Sequence, residues 1–398
     1  MTYDVSRSFV YARPEDLLDG YRNDTPFFFS TPEHTLLAQG EFSRVRATGD
    51  DTLSGLADAV DQALAEARRA GHPNPVVVGA IPFDPAQAAC LCIPHHLLCA
   101  GRLPADRSPA APIAPALQIT PDPAPACYMD AVQRAVLKMQ AGELDKVVLA
   151  RTLWLQAGET IDTPALLARL AAHNPHGYTF AVDLSAQDKG CLLGASPELL
   201  LSRRGDQVRS NPLAGSAARA HDEAEDQRRA RALQSSAKDL AEHAFVADAV
   251  ARQLRPFCQT LDAPTAPSLI HTETMWHLSS DIRGLLRHDA PNSLRLAAAL
   301  HPTPAVCGHP TASARALIRE LEPFDRGFYT GMVGWCDSSG NGEWIVTIRC
   351  AQVQDRALRL FAGAGTVAAS SPELELAETS AKFRTLLHAL GLDPQEAV

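Results

Sequence analysis

The chain has 398 residues, of which 46% are hydrophobic and 21% are charged, as in ordinary soluble globular proteins. It contains no apolar run of about eighteen residues, so we expect no membrane span. The net charge of −10 argues against nucleic acid as a partner, and it means that an anionic substrate needs a local positive centre.

The N-terminal sequence and the cysteines give expectations about location and redox state. The N-terminal sequence MTYDVSRSFVYARPEDL has no basic segment followed by an apolar one, which predicts a cytoplasmic protein. The nine cysteines form no CxxC pair, and Cys90 and Cys92 are too close together to bind zinc as a pair. We therefore expect reduced, mostly buried thiols.

A segment rich in Pro and Ala, residues 102–126, predicts a linker that crosses the surface between two halves of the fold. It suggests a division into an N-terminal part, 1–115, and a catalytic region, 116–398. We expect these two parts to form one intertwined structural domain.

The predicted elements after the linker begin with a helix and continue with several strands. Apolar residues at helical spacing predict the first helix, and short apolar runs beginning at Lys146 predict the strands. In chain order, the elements are the helix containing Met129, Val132, Val136 and Met139, strands from Lys146, at 178–184, 191–195 and 198–203, and a helix at about 236–256.

The last third of the chain predicts three antiparallel strands. YTGMVGWC and EWIVTIRCAQV flank the turn DSSGNG and form a hairpin, and ALRLFAGAG follows a second turn. The glycines of FAGAG then form a turn that closes this meander. The segment is not typical of a dinucleotide-binding loop, which requires a βαβ unit around it.

Two predicted helices each carry a pair of acids three residues apart. Asp239 and Glu242 form the first pair, and Glu375 and Glu378 form the second. This spacing places both carboxylates of a pair on one helix face. If the two faces met in the core, the carboxylates would repel each other, and Mg²⁺ with retained waters would neutralise them.

The same acids also have structural interpretations. Ser370 and Glu373 have the spacing of a capping box, with Pro372 near the first helical position, so Glu373 is interpreted as a helix-start residue. Glu378 and Lys382 could form a surface pair at i,i+4. Spacing alone leaves both the metal site and these alternatives open.

Three residues are candidates for proton transfer and anion binding. Lys146 opens an apolar strand, where its amine either reaches solvent or is desolvated and able to act as a base. Glu198 is either a turn acid after Pro197 or a buried acid whose pKa is raised. Arg349 interrupts an apolar strand, which predicts a carboxylate partner from the protein or from a ligand.

Several long motifs resemble those of the chorismate-utilising enzymes, the family of isochorismate, salicylate, anthranilate and aminodeoxychorismate synthases. They occur in order between about residues 120 and 390 and are DKVVLAR, GASPELLLSRRGDQVRSNPLAGSAAR, KDLAEH, MWHLSSDIRG, LHPTPAVCGHP, PFDRGFYTGMVGWCDSSGNGEWIVTIRC and FAGAGTVAASSPELELAET. The resemblance implies an α+β fold with large antiparallel sheets packed between helices, as in anthranilate synthase component I. It also implies Mg²⁺-dependent nucleophilic addition at C2 of chorismate with loss of the C4 hydroxyl.

The resemblance assigns roles to individual residues. It implies Lys146 as the base that activates water and Glu198 as the acid that protonates the leaving hydroxyl. It implies direct Mg²⁺ ligands at Glu242 and Glu378 and an outer shell at Asp239 and Glu375. The implied substrate-binding residues are His277, Ala305, Val306, Arg349, Gly363, Gly365, Lys382, Gly215 and Ser216.

Two positions point to a subtype within the family. Members that add ammonia resemble each other in having Gln where this chain has Lys146, which implies water as the nucleophile. The nucleophilic lysine of aminodeoxychorismate synthases is absent, since PLAGS places Ala214 there. Ala305 and Val306 are similar to isochorismate-only members, so the implied product is isochorismate.

The pathway and the partners are expected from the same resemblance. GNGEW and IRC are similar to synthases of 2,3-dihydroxybenzoate siderophores such as enterobactin. A salicylate synthase and a menaquinone-pathway synthase remain alternatives, as does a partner-dependent or non-catalytic chorismate-binding subunit. We expect chorismate as the small-molecule partner, a monomer, and an isochorismatase as the candidate downstream partner.

Overall fold

The computed structural model describes residues 13–45, 52–105 and 117–392, and within these ranges the chain forms helices α1–α9 and strands β1–β22. The helices are α1 (Pro14–Asp19), α2 (Leu53–Arg69), α3 (Pro125–Gln140), α4 (Thr163–His173), α5 (Glu223–Ser235), α6 (Ala237–Leu254), α7 (Ser293–Leu300), α8 (Thr311–Leu321) and α9 (Pro372–Leu390). The strands are β1 (Phe27–Ser30), β2 (His34–Gln39), β3 (Ser43–Arg44), β4 (Val76–Ile81), β5 (Cys90–Ile93), β6 (His96–Gly101), β7 (Leu117–Asp122), β8 (Lys146–Ala157), β9 (Tyr178–Asp183), β10 (Cys191–Ser196), β11 (Leu199–Arg204), β12 (Gln207–Asn211), β13 (Leu213–Ala218), β14 (Cys258–Asp262), β15 (Ser268–His271), β16 (Met275–Ser279), β17 (Ile282–Leu286), β18 (Gly308–His309), β19 (Met332–Asp337), β20 (Gly342–Val346), β21 (Cys350–Gln354) and β22 (Ala357–Val367).

Antiparallel pairing joins most strands into two large sheets. The first sheet has the order β18-β8-β22-β21-β10-β9-β1-β2-β6, with β7 also paired to β8. The second has the order β14-β17-β12-β11-β20-β19-β4-β5-β3, and a small third sheet has the order β13-β16-β15. Both large sheets combine strands from before and after residue 115, since β1 pairs with β9 and β4 pairs with β19. The division into 1–115 and 116–398 stays a prediction.

The two large sheets share a buried aromatic layer, and helices cover their other faces. Along β1, Phe27 and Phe29 point into the shared layer, whereas Phe28 packs on the side covered by α4 and α9. This alternation follows from the two-residue period of a strand. Helices α2, α6 and α7 contribute to the core on the second sheet. The predicted α+β architecture, with antiparallel sheets packed between helices, is confirmed. No helix in the described residues is long and apolar enough to cross a membrane.

The structure confirms most of the predicted elements and corrects the linker. The first predicted helix is α3, and the predicted strands correspond to β8, β9, β10 and β11. The predicted helix at 236–256 is α6, which Ser236 caps by accepting a hydrogen bond from the Asp239 N–H. The linker is wrong for residues 117–122, which form β7 along the edge of β8. Residues 106–116 of that linker lie outside the described residues.

The last third of the chain differs from the predicted meander. The hairpin of β19 and β20 is confirmed. The strand predicted to run through Arg349 is wrong, because β20 ends at Val346 in the second sheet and β21 begins at Cys350 in the first sheet. Gly363 and Gly365 were predicted in a turn, but they lie inside β22 and pair with Ala150 and Val148 of β8.

Candidate active site

A cavity of about 60 Å³ is lined by residues from the first large sheet, the small sheet, α6, α9 and the segments that adjoin β11, β19 and β20 of the second large sheet. Of the fifteen residues predicted for the site, twelve contribute to its wall, whereas Lys146, Asp239 and Glu375 do not line it. The twelve are Glu198, Gly215, Ser216, Glu242, His277, Ala305, Val306, Arg349, Gly363, Gly365, Glu378 and Lys382. The structure thus brings together side chains that are up to 236 residues apart in the sequence, from Lys146 to Lys382.

Lys146 is fully buried at the start of β8, so its amine does not reach solvent. Its Nζ lies 2.9 Å from Oε1 of Glu242 on α6. The angles at this contact do not meet those of a hydrogen bond, and Nζ has no other polar partner among the described residues. The desolvated alternative for Lys146 is therefore the one observed, and its counter-ion is a predicted metal ligand.

Glu198 is buried where the chain enters β11, with 3% of its surface exposed. The only hydrogen bond described for its carboxylate is a long one, from the Leu213 N–H to Oε1 at 3.5 Å. Burial raises the pKa of the Glu198 carboxyl to about 7, against the smaller opposing effects of the Leu213 N–H and the Lys146 charge. The residue is therefore a buried acid in the cavity wall, as the second of its two interpretations required.

Arg349 supplies positive charge to the cavity from the short segment between β20 and β21. Within the described ranges, no carboxylate forms an ion pair with its guanidinium, so none of these side chains is the predicted carboxylate partner. Burial lowers the pKa of Arg349, while Tyr329, Glu378 and Glu198 act in the opposite direction. A buried cation without a protein counter-ion is suited to an anionic ligand.

His277 on β16 adds a neutral polar group to the same wall. Burial lowers the pKa of His277 well below its usual value, and the charges of Arg349 and Lys382 lower it further. Its Nε2 is buried without a hydrogen-bond partner in the described part of the chain. Buried polar atoms are nearly always satisfied in folded proteins, so this nitrogen is available to a ligand.

The four predicted metal-binding acids lie on two facing helices, and three of them pair with lysines. Besides the contact of Glu242 with Lys146, Lys382 Nζ lies 2.6 Å from Glu378 Oε1, and Lys238 Nζ lies 3.1 Å from Glu375 Oε1. The pair of Glu378 and Lys382 is thus at i,i+4 as considered, but it lines the cavity instead of an open surface. With these pairs in place, no three acidic, histidine or cysteine side chains of the described residues converge as a metal site.

The donor set nevertheless suits a hard cation such as Mg²⁺. Burial raises the pKa of Glu375, and the charge of Glu378 raises it further, so an added cation would relieve this repulsion. Burial also raises the pKa of Asp239. A Cβ added to Gly365 would lie 2.2 Å from Glu242 Oε1, so the absence of a side chain there makes room for that carboxylate.

The start of α9 separates Glu373 from this acidic group. Glu373 is exposed and accepts a hydrogen bond of 2.5 Å from the Ser371 hydroxyl. Its interpretation as a helix-start residue is consistent with this position, but the capping box with Ser370 is wrong. Ser371 occupies the N-cap position, and Pro372 is the first helical residue. The Ser370 hydroxyl instead accepts a hydrogen bond from the Val367 N–H.

Sequence reasoning missed several residues of the site. Tyr329 and Thr330 line the cavity, and Tyr329 stacks on Phe361 with ring centroids 5.1 Å apart. His243 is buried and holds the cavity wall through a contact of 3.1 Å between Nδ1 and the Ala214 carbonyl. The motifs GFYTG and AEH contain these residues, but spacing along the chain gave no signal for their positions.

Two residues of the cavity wall have unusual backbone φ angles. Thr330 and Arg349 have φ angles of 59° and 50°, in the left-handed region that residues with a Cβ rarely adopt. The Thr330 N–H donates a hydrogen bond of 2.7 Å to the Thr347 carbonyl, which joins the two segments. Strained residues of this kind cluster at functional sites, where the surrounding structure holds them in place.

A larger cavity of about 680 Å³ lies elsewhere and contains none of the predicted site residues. It is an open cleft beside Tyr178, Arg204 and Glu343. The smaller cavity is the better candidate for chemistry, because it combines a buried acid, an adjacent buried amine and a cation that has no ion-pair partner among the described residues.

A fold of two large antiparallel sheets, with an acid, a lysine and facing carboxylates at their junction, defines the class of this protein. Residues 101–391 match the family model described as chorismate binding enzyme, and the chain belongs to this family. It is 54% identical to isochorismate synthase DhbC of Bacillus subtilis (strain 168) over 96% of this chain and 97% of that protein.

Other relatives extend the comparison in sequence and in structure. Isochorismate synthase EntC of Escherichia coli (strain K12) is 42% identical over 92% of this chain and 95% of its own length. The crystal structure of DhbC from Bacillus anthracis superposes with a TM-score of 0.91 at 50% identity, covering 96% of this chain and all of that chain. Anthranilate synthase component I from Streptococcus pneumoniae TIGR4 shares the fold, with a TM-score of 0.71 at 20% identity over 89% of this chain and 92% of that chain.

Proposed function

We propose that this protein is an isochorismate synthase, which adds water at C2 of chorismate and releases the C4 hydroxyl in a reversible, Mg²⁺-dependent reaction. The observation that carries this proposal is the state of Glu198. A buried carboxyl with a pKa of about 7 can donate a proton at neutral pH, and it lies in a cavity with an arginine that pairs with no carboxylate of the described chain. The proposal is supported by relatives of nearly equal length that are named isochorismate synthases.

In this mechanism Lys146 and Glu198 move the protons. The neutral amine of Lys146 accepts a proton from the water molecule whose oxygen bonds to C2. Glu198 donates its proton to the C4 oxygen as the C–O bond breaks, so that water leaves. One water enters and one leaves, which makes substrate and product isomers. In the reverse reaction the protonated Lys146 donates a proton and the Glu198 carboxylate accepts one.

The remaining wall residues would bind the two carboxylates and the ring. Arg349 provides charge-assisted hydrogen bonds to one carboxylate, and Lys382 adds a second cation beside it. The Nε2 of His277 provides a neutral hydrogen bond. Gly363, Gly365, Gly215 and Ser216 would form the remaining wall around the ring. Ligand pockets usually have at least about 300 Å³. The cavity of about 60 Å³ therefore has to widen when chorismate binds.

Glu242 and Glu378 would hold Mg²⁺, with Asp239 and Glu375 in an outer shell. When bound, Mg²⁺ would supply positive charge that offsets the ring carboxylate of chorismate. Binding of Mg²⁺ would also affect Lys146, whose counter-ion is one of these acids. Glu242 is the counter-ion of Lys146, so a Glu242 carboxylate that binds a cation no longer neutralises the lysine.

We infer the subtype from residues in and around the cavity. Lys146 favours water as the nucleophile, and Ala214 supplies no amine. Ala305 and Val306 line the cavity, and in this proposal they favour release of isochorismate over pyruvate elimination. The names of relatives, among them a vibriobactin-specific isochorismate synthase of Vibrio cholerae, support a role in siderophore biosynthesis. We further propose a cytoplasmic monomer whose product passes to an isochorismatase.

The direct test is incubation of the protein with chorismate and MgCl₂, followed by chromatographic separation of the products. Isochorismate at equilibrium with chorismate is expected, and EDTA should stop its formation. Salicylate with pyruvate would assign the protein to the salicylate synthases. Anthranilate formed from added ammonia would reject water as the nucleophile, and binding without turnover would reject catalysis.

A further inference from the structure

A buried ion pair outside the predicted site connects its walls. Arg326 and Glu322 lie between α8 and β19, and each side chain is 3% exposed. The pair is bidentate, because Arg326 Nε donates to Glu322 Oε2 at 2.8 Å and Nη2 donates to Oε1 at 2.5 Å. Bidentate pairs of arginine and carboxylate fix the guanidinium plane as well as its position.

The other N–H groups of this guanidinium donate hydrogen bonds to residues of the cavity wall. Arg326 Nη1 donates to the Val306 carbonyl at 2.8 Å and to the Thr330 hydroxyl at 3.2 Å. Its Nη2 donates to the Val148 carbonyl at 2.7 Å. A guanidinium has five N–H donors, and all five are used here. Val148, Val306 and Thr330 lie on three separate chain segments, and each of them lines the cavity.

The ion pair also replaces a missing strand at the edge of β8. β18 pairs with residues 146–147 and β7 pairs with residues 152–157, which leaves the backbone between them without a strand on this side. The Val148 carbonyl bonds to Arg326, and the Ala150 N–H donates to Glu322 Oε1 at 2.8 Å. The backbone groups of this edge therefore bond to the ion pair. The first of them, the Val148 carbonyl, is two residues after Lys146 in the chain.

We propose that Arg326, oriented by Glu322, is a positioning residue for the reaction at this site, an inference that rests on the proposed function. It fixes the part of β8 next to Lys146 relative to the segments that contain Val306 and Thr330. A lysine in its place carries its three N–H donors on a single nitrogen atom. It therefore cannot bond all three segments in the same geometry. Displacements of about 1 Å around reacting groups lower rates by about 100-fold.

The test compares Arg326→Lys with Arg169→Lys as a matched control. Arg169 is also buried and also bonds backbone carbonyls, but these belong to His388 and Ala389 at the end of α9, outside the cavity wall. We expect Arg326→Lys to lower kcat about 100-fold with KM changed less than about three-fold, at a loss of Tm similar to that of the control. The control should keep its kcat. Equal kcat values for the two variants would overturn the proposal.

A second variant and a second readout keep the test independent of folding and of turnover. Glu322→Gln retains the side-chain shape and the acceptor for the Ala150 N–H but releases the guanidinium plane, so kcat should fall about ten-fold. Amide hydrogen exchange in peptides covering 146–151 and 303–307 should accelerate in both variants and stay unchanged in the control. Unchanged exchange in these peptides rejects the positioning role. Absence of chorismate turnover in the unaltered protein rejects the proposed function instead.

Discussion

Lys146 Nζ lies 2.9 Å from Glu242 Oε1, so the predicted base and a predicted metal ligand are each other's counter-ions. The proposed roles of Lys146 as a base and of Glu242 as a metal ligand therefore depend on the same contact. This relationship ties proton transfer to the state of the acidic residues on α6 and α9.

Replacing Lys146 by Met should abolish turnover and alter the response of the protein to Mg²⁺. Without its counter-ion, the buried Glu242 charge should destabilise the metal-free protein by about 3–5 kcal/mol. Since that charge is then free to bind a cation, MgCl₂ should raise the Tm of the variant more than that of the unaltered protein. Thermal unfolding in EDTA and in MgCl₂ measures this difference. Retained turnover would reject Lys146 as the base, and equal shifts of Tm would reject the competition for Glu242.

Glu198→Gln should abolish turnover and change how stability depends on pH. The pKa of Glu198 rises from 4.5 to about 7 in the folded protein, so between these values the folded state holds a proton that the unfolded chain has released. The folded protein thus loses up to about 3 kcal/mol of stability as pH rises through this range, and the uncharged variant does not. Denaturant unfolding at pH 5 and pH 8 should show the variant gaining stability relative to the unaltered protein. A constant difference would contradict the raised pKa.

The pH dependence of turnover tests the same residue without a substitution. The general acid must be protonated, so kcat/KM should decrease as pH rises above about 7, where Glu198 loses its proton. Chorismate conversion measured from pH 5.5 to 9 gives the profile. A rate that stays constant up to pH 9 would exclude Glu198 as the acid.

Arg349→Met should separate ligand binding from folding. The guanidinium is buried without a carboxylate partner from the described chain, so its removal should leave the Tm of the ligand-free protein unchanged or higher. Chorismate binding should weaken by at least about ten-fold, because a charge-assisted hydrogen bond contributes about 1.5–3 kcal/mol. Calorimetric titration with chorismate, together with a melting curve, measures both effects. A lowered Tm together with an unchanged affinity for chorismate would contradict this role.

Gly365→Ala should disturb the acidic residues through a single methyl group. The new Cβ would lie 2.2 Å from Glu242 Oε1 and 3.2 Å from Lys146 Cε, so the Glu242 carboxylate has to move. We expect loss of turnover and a weaker response of Tm to MgCl₂. Gly158→Ala is the matched control, because a Cβ there meets no atom within 4 Å. If both variants keep their activity, the close approach at Gly365 is not required.

The sequence predicted the residues with distinctive chemistry and missed their neighbours. Lys146, Glu198 and Arg349 are charged residues in apolar segments of the sequence, a context that made burial one of the interpretations considered. Lys238 had no such context, because its partner Glu375 is 137 residues away on another helix. Tyr329 was missed for a related reason, since a tyrosine in an apolar segment is typical of any core.

The errors in the predicted fold have specific physical causes. Gly363 and Gly365 were placed in a turn because glycine usually interrupts strands, but in β22 they make room for Tyr329 and Glu242. The predicted strand through Arg349 ignored the change of sheet at residues 347–349. That change depends on the backbone hydrogen bond between Thr330 and Thr347 and on a left-handed backbone at Arg349. Neither feature produces a repeating pattern of residues in the sequence.

The crossing of the chain from β20 to β21 has a consequence for folding. This segment contributes Ile348 and Arg349 to the cavity while it connects the second sheet to the first. Neither sheet alone can form the cavity, because its wall combines strands of the first sheet with segments that adjoin strands of the second sheet. Contacts of such large sequence separation form slowly, since the chain entropy lost in closing long loops comes before the stabilising contacts. During refolding, chorismate binding should therefore return later than β-sheet circular dichroism, and the delay would measure the docking of the two sheets.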